Sequence, residues 1–152
     1  MSKKFGFTLI ELLIVITIIA ILAAIGLVTY SSFTQRARDA KRQADLKFIQ
    51  SGLEQYHADQ KHYPYKIAFG CADCELSYGG KKYITKIPSD PKGNPNYAYS
   101  ASGPTNCTSS SNQTGCTSYC LFTRIEGKSI PTSDPGCTTF PSGGYNFGIT
   151  KP

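Results

Sequence analysis

Between Phe7 and Val28 the chain is apolar at almost every position, and a single carboxylate, Glu11, interrupts the run. About 22 residues of this kind match the roughly 20 that a helix needs to cross the hydrocarbon core of a bilayer. From Tyr30 the pattern changes. Tyr30, Phe33, Ala37, Ala40 and Ala44 recur at three- and four-residue steps, and Leu46, Ile49, Leu53 and Tyr56 continue the rhythm on a shifted face. Gln35, Asp39, Gln43, Lys47, Gln50 and Glu54 fill the other sides. The bulkier set reads as an ordinary core-facing helix stripe, and the alanines suit close approach of a neighbouring helix. No proline occurs before Pro64, and the residue ahead of a proline is biased away from the α region. The pattern therefore predicts one continuous helix over about 7–62, apolar on all sides in its first half and amphipathic in its second. Gly26 and Gly52 are its only glycines.

After Pro64 the composition shifts to Gly, Pro, Ser, Thr, Asn and Tyr, which suits turns joining short strands. Residues 97–99, 119–125 and 145–149 are the best strand candidates, and 83–87 is divided between strand and helical turn. Residues 100–118 read as a polar surface loop pinned by Cys107 and Cys116. A long helix followed by a small antiparallel sheet is an α+β layout. The length of 152 residues suits one modest domain, and an apolar segment over 7–30 leaves roughly 90–120 residues for a head.

Cys71, Cys74, Cys107, Cys116, Cys120 and Cys137 all follow the apolar segment. An even count in a small, loop-rich, exported head reads as a disulfide framework, and six cysteines allow fifteen pairings that sequence does not choose among. Zinc is the rival, since Cys71-x-x-Cys74 has ligand spacing, but no second such pair occurs and neither histidine lies near the other cysteines. The formal charge of +6 is a mild excess that excludes little. Arg36, Arg38, Lys41 and Arg42 cluster around Asp39. DNA is one ligand for such a stripe. Its place beside the buried helix favours instead pairing with acids such as Asp39 and Asp45 of neighbouring subunits.

The segment Met1-Ser-Lys-Lys-Phe-Gly6, then Phe7-Thr-Leu-Ile-Glu11 and the apolar run, resembles the class III signal of type IV pilins and type II secretion pseudopilins. That resemblance implies a leader over 1–6 that prepilin peptidase removes between Gly6 and Phe7, with methylation of the new Phe7 amine. Removal of Lys3 and Lys4 takes the charge to +4. It implies also the pilin fold: helix 7–62, divided into a membrane and filament-core part over 7–30 and an amphipathic part over 31–62, laid on the sheet of a disulfide-stapled head over 63–152. Residues 87–99, Ile-Pro-Ser-Asp-Pro-Lys-Gly-Asn-Pro-Asn-Tyr-Ala-Tyr, resemble the proline-rich turn and first strand of pseudopilins and small pilins. An ordinary secretory signal is a poorer fit, because its apolar region is about 7–15 residues long. Lys3 and Lys4 favour a cytoplasmic N-terminus. The basic cluster at 36–42 pulls the other way, and the cysteines place the head outside.

Glu11 carries two readings. Thr8-Leu-Ile-Glu11 has the spacing of a capping box. A carboxylate at membrane depth also costs about 2.5–3.5 kcal/mol and is a functional residue by default. The amine of a neighbouring Phe7 is its natural partner and would set register between subunits. Many pilins have a proline where Val28 stands here, so the local melting of the helix that the resemblance implies either does not carry over to this chain or would centre on Gly26.

Other constellations are thin. His57 and His62, five apart with Asp59 between, do not share the i, i+4 face of a metal pair. Asp73, Glu75, Asp90 and Asp134 sit among turns. Asp90 with Gly93, Asn94 and Asn96 offers hard oxygens for calcium, though turn chemistry explains these residues more simply. Asn106-Cys-Thr108 and Asn112-Gln-Thr114 fit the glycan acceptor pattern. No nucleophile, acid–base or phosphate-binding set indicates an enzyme.

The leading expectation is a structural subunit of a type IV pilus, a homopolymer held first in the inner membrane and then in a surface filament for adhesion, motility or DNA uptake. Its partners would be prepilin peptidase and the pilus or secretion assembly machinery. The alternatives are a pseudopilin of a type II secretion or competence system, and a membrane-anchored, cysteine-rich binding module that never polymerises.

Overall fold

The structure is a computed structural model. It describes residues 6–93, 97–103, 107, 114–127, 136–137 and 139–152, with backbone only at 27–29. Lys3, Lys4, Asn94, Asn96, Asn106, Thr108, Asn112 and Asp134, named above, lie outside the described residues. The order is α1 (Leu9–Gln60), β1 (Leu76–Tyr78), β2 (Lys81–Ile84), β3 (Ala98–Ser102), β4 (Ser118–Thr123) and β5 (Phe147–Thr150). Two compact units divide the chain, residues 1–37 and 38–152.

The helix ends two residues short of the expected 62. Lys61 takes a left-handed φ of 64°, and its N–H donates to His57 O at 2.8 Å, the αL form of helix termination. Pro64 then prevents the helix from resuming.

In the second unit the expected stripe is the core. Leu46, Ile49, Leu53 and Tyr56 are buried, in one cluster with Tyr97, Tyr119, Leu121, Phe147 and Ile149 of the sheet region. Strands β3, β4 and β5 form an antiparallel meander in that spatial order, with Tyr99 opposite Leu121 and Leu121 opposite Ile149. Tyr119, Leu121 and Thr123 alternate along β4 with Cys120 and Phe122, as the pleat requires. Phe122 meets Phe140 at 5.7 Å and Tyr145 at 6.5 Å between ring centres. Gly148 sits between Phe122 and Cys137, where a Cβ would come within 3.0 Å of both.

The ambiguous segment at 83–87 resolves as the end of a strand. β1 and β2 form a hairpin across Gly79 and Gly80, whose φ values of 59° and 81° are those of a type I′ turn. Glu54 accepts hydrogen bonds from the hydroxyls of Tyr63 and Tyr119, and Gln50 donates to Thr150 O at 2.6 Å. Gln50 and Glu54, expected on the solvent side, thus fasten the helix to the head.

Candidate functional site

The first unit contains an apolar stretch, Phe7 to Ile25, that a soluble surface cannot explain. Phe7 is 88% exposed, and every Leu, Ile and Val from Leu9 to Ile25 is at least 49% exposed. This stretch is a helix, so its backbone is satisfied internally while its side chains remain uncovered. It is long and apolar enough to cross a membrane. A helix apolar on every side needs lipid or other helices around it.

Glu11 forms the capping box. Its Oε2 accepts from Thr8 N–H at 2.9 Å and from Thr8 Oγ1 at 2.7 Å, while Glu11 N–H donates to Thr8 Oγ1 at 3.3 Å. Only Oε2 is used in these contacts, so capping leaves the second oxygen for another donor. At Gly6 a Cβ would meet open space. The fold of this chain therefore does not itself require glycine there.

The cysteines pair as Cys71–Cys74, Cys107–Cys116 and Cys120–Cys137. The Cys71-x-x-Cys74 sulfurs are thus joined to each other rather than aimed at a metal. His57 stacks on Tyr63 at 4.5 Å, and His62 packs edge-on against Tyr56 at 5.7 Å. Both histidines serve as packing groups at the helix end.

The basic cluster departs from expectation. Arg42 is buried and meets Asp90 through Nε at 2.5 Å and Nη2 at 3.1 Å, and Asp39 and Glu126 through Nη1 at 2.8 and 2.6 Å. Arg38 makes a two-point pair with Glu126, at 3.1 and 2.9 Å, and Lys92 reaches the same carboxylate at 2.7 Å. The Asp39 carboxylate also accepts the N–H groups of Glu126 and Gly127. Lys41 pairs with Asp45 of its own helix at 3.6 Å. Asp39 and Asp45 therefore have partners within the chain itself. Burial is costly for these charges, and the network of partners compensates.

Asp90 has both oxygens on Arg42, and its Oδ1 also accepts Lys92 N–H, so its carboxylate is occupied by turn and ion-pair contacts rather than presented to calcium. The hydrogen bonds from Arg38, with Lys92 and Arg42 behind them, hold the Glu126 carboxyl well below its usual range despite desolvation. For Asp90, burial opposes ionisation, but the bonds from Arg42 and the turn amides outweigh it and the net shift is downward. Glu126 escaped the sequence analysis because it is a lone acid after a strand, far in sequence from its partners.

A family model described as the prokaryotic N-terminal methylation motif matches residues 1–27. Type II secretion system core protein G of Escherichia coli (strain K12) is 30% identical over 101 residues, covering 61% of this chain and 70% of that protein. The protein of the same description from Pseudomonas aeruginosa is 34% identical over 109 residues, covering 66% of this chain and 76% of the relative. Type IV major pilin protein PilA of Myxococcus xanthus is 28% identical over 88 residues, covering 47% and 40%. No solved structure matches the chain.

Proposed function

The chain belongs to the family of type IV pilins and type II secretion pseudopilins, and on that premise we propose that it is a non-enzymatic structural subunit that polymerises through its N-terminal helix into a type IV pilus. The observation that carries this reading is the uncovered apolar helix from Leu9 to Ile25 with one carboxylate near its start. Lipid covers such a helix before assembly, and the helices of other copies cover it afterwards.

Prepilin peptidase cuts between Gly6 and Phe7 and the Phe7 amine is methylated. A residue without a Cβ lets the peptidase approach the scissile carbonyl closely. The open space around Gly6 supports placing that requirement on the enzyme rather than on the fold. The Phe7 amine then meets Glu11 of an adjacent copy and fixes the step between subunits. The disulfide-stapled head faces outward.

A second reading is a pseudopilin of a secretion system. The similarity to the two G proteins spans 101 and 109 residues, more than the 52 of α1, and so extends into the head.

Mass spectrometry of the N-terminal peptide separates the readings. A methylated Phe7 peptide abundant in filaments sheared from intact cells is the expected result. The same peptide confined to the cell-bound membrane fraction would favour the pseudopilin. An uncut chain retaining Lys3 and Lys4 would leave only a plain membrane anchor and overturn both.

A further inference from the structure

The three disulfides differ in size and setting. Cys120–Cys137 and Cys107–Cys116 join residues 17 and 9 apart, whereas Cys71 and Cys74 are 3 apart. Loop-closure stabilisation grows with loop length, so this smallest loop is the one whose opening least affects the fold. Its two sulfurs are unequal. Cys71 is exposed, and Cys74 is 3% exposed, within the hydrophobic core cluster. The Cys71 N–H donates to Cys74 Sγ at 3.2 Å. A donor on that sulfur stabilises negative charge there, which makes Cys74 the better leaving group.

Cys71 also lines an open cleft of about 660 Å³ with Lys41, Lys86 and Asp90. Asp90 is neutralised by Arg42. Lys41 is more than half exposed and only loosely paired with Asp45, and Lys86 is exposed. The opposing charges nearby in sequence are Asp73, inside the disulfide loop, and Glu75, which is paired with Lys82. The cleft is therefore biased toward cations beside the exposed Cys71.

We propose that Cys71–Cys74 is a thiol-exchange site that captures an external acidic thiol on Cys71. The thiolate attacks Cys71 Sγ, a new S–S bond forms to the incoming sulfur, and the Cys71–Cys74 bond breaks with its electron pair on Cys74, which takes a proton from water. The incoming thiol is oxidised to the level of a mixed disulfide as Cys74 is reduced. A second thiolate attacking the captured sulfur releases a small-molecule disulfide and leaves both cysteines as thiols. This activity is independent of polymerisation, since it needs only residues of the second unit.

The probe is reduced glutathione, which carries two carboxylates and one ammonium, applied to the purified full-length chain in mild detergent. Free thiols are then blocked by alkylation, and the peptides are mapped without reduction. The expected product carries glutathione on Cys71 and the alkyl group on Cys74. It should appear roughly tenfold faster than opening of either larger disulfide, because attack depends on access to the sulfur. Simultaneous opening of all three bridges, or first attack at Cys74 or at another bridge, would overturn the proposal. Lys41→Ala and Lys86→Ala should each slow glutathione by about two- to fivefold, the range of surface charge pairs, and leave the uncharged 2-mercaptoethanol unaffected. Equal slowing of both thiols, or none, would remove the preference for acidic thiols. The Cys74→Ser variant, shown folded by circular dichroism, should hold a stable adduct on Cys71 after exposure to oxidised glutathione. Failure of that folded variant to react would likewise refute the site.

Discussion

Arg42 and Asp90, 48 positions apart, meet in a buried two-point pair that joins the helix to the Pro88-Ser-Asp-Pro91 turn. Asp39 and Glu126 close the same guanidinium from the other side. Arg42 thus contacts three carboxylates, one of which, Glu126, is also held by Arg38 and Lys92. Arg42→Ala should lower the stability of the head by about 3–5 kcal/mol, the usual consequence of leaving buried charge without its partner. Arg42→Met combined with Asp90→Asn, which removes the closest charge pair together, should cost less than Arg42→Ala alone. Chemical denaturation of the three proteins tests the ordering, and equal losses would contradict it.

The same network makes the head sensitive to acid. Glu126 and Asp90 both titrate below their ordinary range in the folded chain, Glu126 through Arg38 first and Asp90 through Arg42 against the effect of burial. A carboxylate with a depressed folded pKa contributes stability that is complete above its unfolded value and is lost as the pH falls toward the folded value. Stability should therefore be level near neutrality and decline as the pH drops below about 4, the ordinary carboxylate range. Thermal melts between pH 2 and 7 should show that decline in the native chain and a shallower one in Glu126→Gln. An identical slope would disconnect Glu126 from acid lability.

Two glycines in the one helix should respond oppositely. A Cβ at Gly52 would lie 2.3 Å from Ile84 Cγ1, and Ile84 is buried, so the Ile84 side chain or the strand that carries it must shift. Gly52→Ala should destabilise the head by about 1–3 kcal/mol, the range for overpacking. Ile84→Val, which trims the obstructing side chain, should recover part of that loss in the double variant. At Gly26 a Cβ meets nothing within 4 Å. Gly26→Ala should leave the head's melting temperature unchanged, because Gly26 lies in the first unit, outside the head, and no packing opposes the added methyl group. Melting temperatures of the full chain in detergent distinguish the two cases.

Locally encoded features were legible in the sequence. Spacing placed Leu46, Ile49, Leu53 and Tyr56 on one face, and they form the helix's share of the core. Tyr-rich segments marked the three strands of the larger sheet to within a few residues. The β1 strand was missed because Leu76-Ser-Tyr78 is too short to alternate, although the following Gly79-Gly80 was an available hairpin signal. The Arg42 network was misassigned to neighbouring subunits because charge clusters disclose no partner. Its acids at 90 and 126 arrive only through the tertiary fold. Disulfide pairing was not legible either, although the bridges span only 3, 9 and 17 residues, because six cysteines allow fifteen pairings.

Glu11 caps the helix of the single chain, and its proposed role in the polymer is separable from that capping. In the single chain its Oε2 completes the capping box with Thr8, which helps to start the helix. Glu11→Gln preserves the capping-box geometry, since glutamine is accepted at that position, but removes the charge. If register depends on charge pairing with the Phe7 amine, Glu11→Gln and Glu11→Ala should both be cleaved and methylated normally and both give few filaments. If capping alone matters, Glu11→Gln should assemble as well as the native chain while Glu11→Ala does not. Filament yield by shearing, normalised to the methylated Phe7 peptide in the membrane, reads the difference without confusing poor processing with poor assembly.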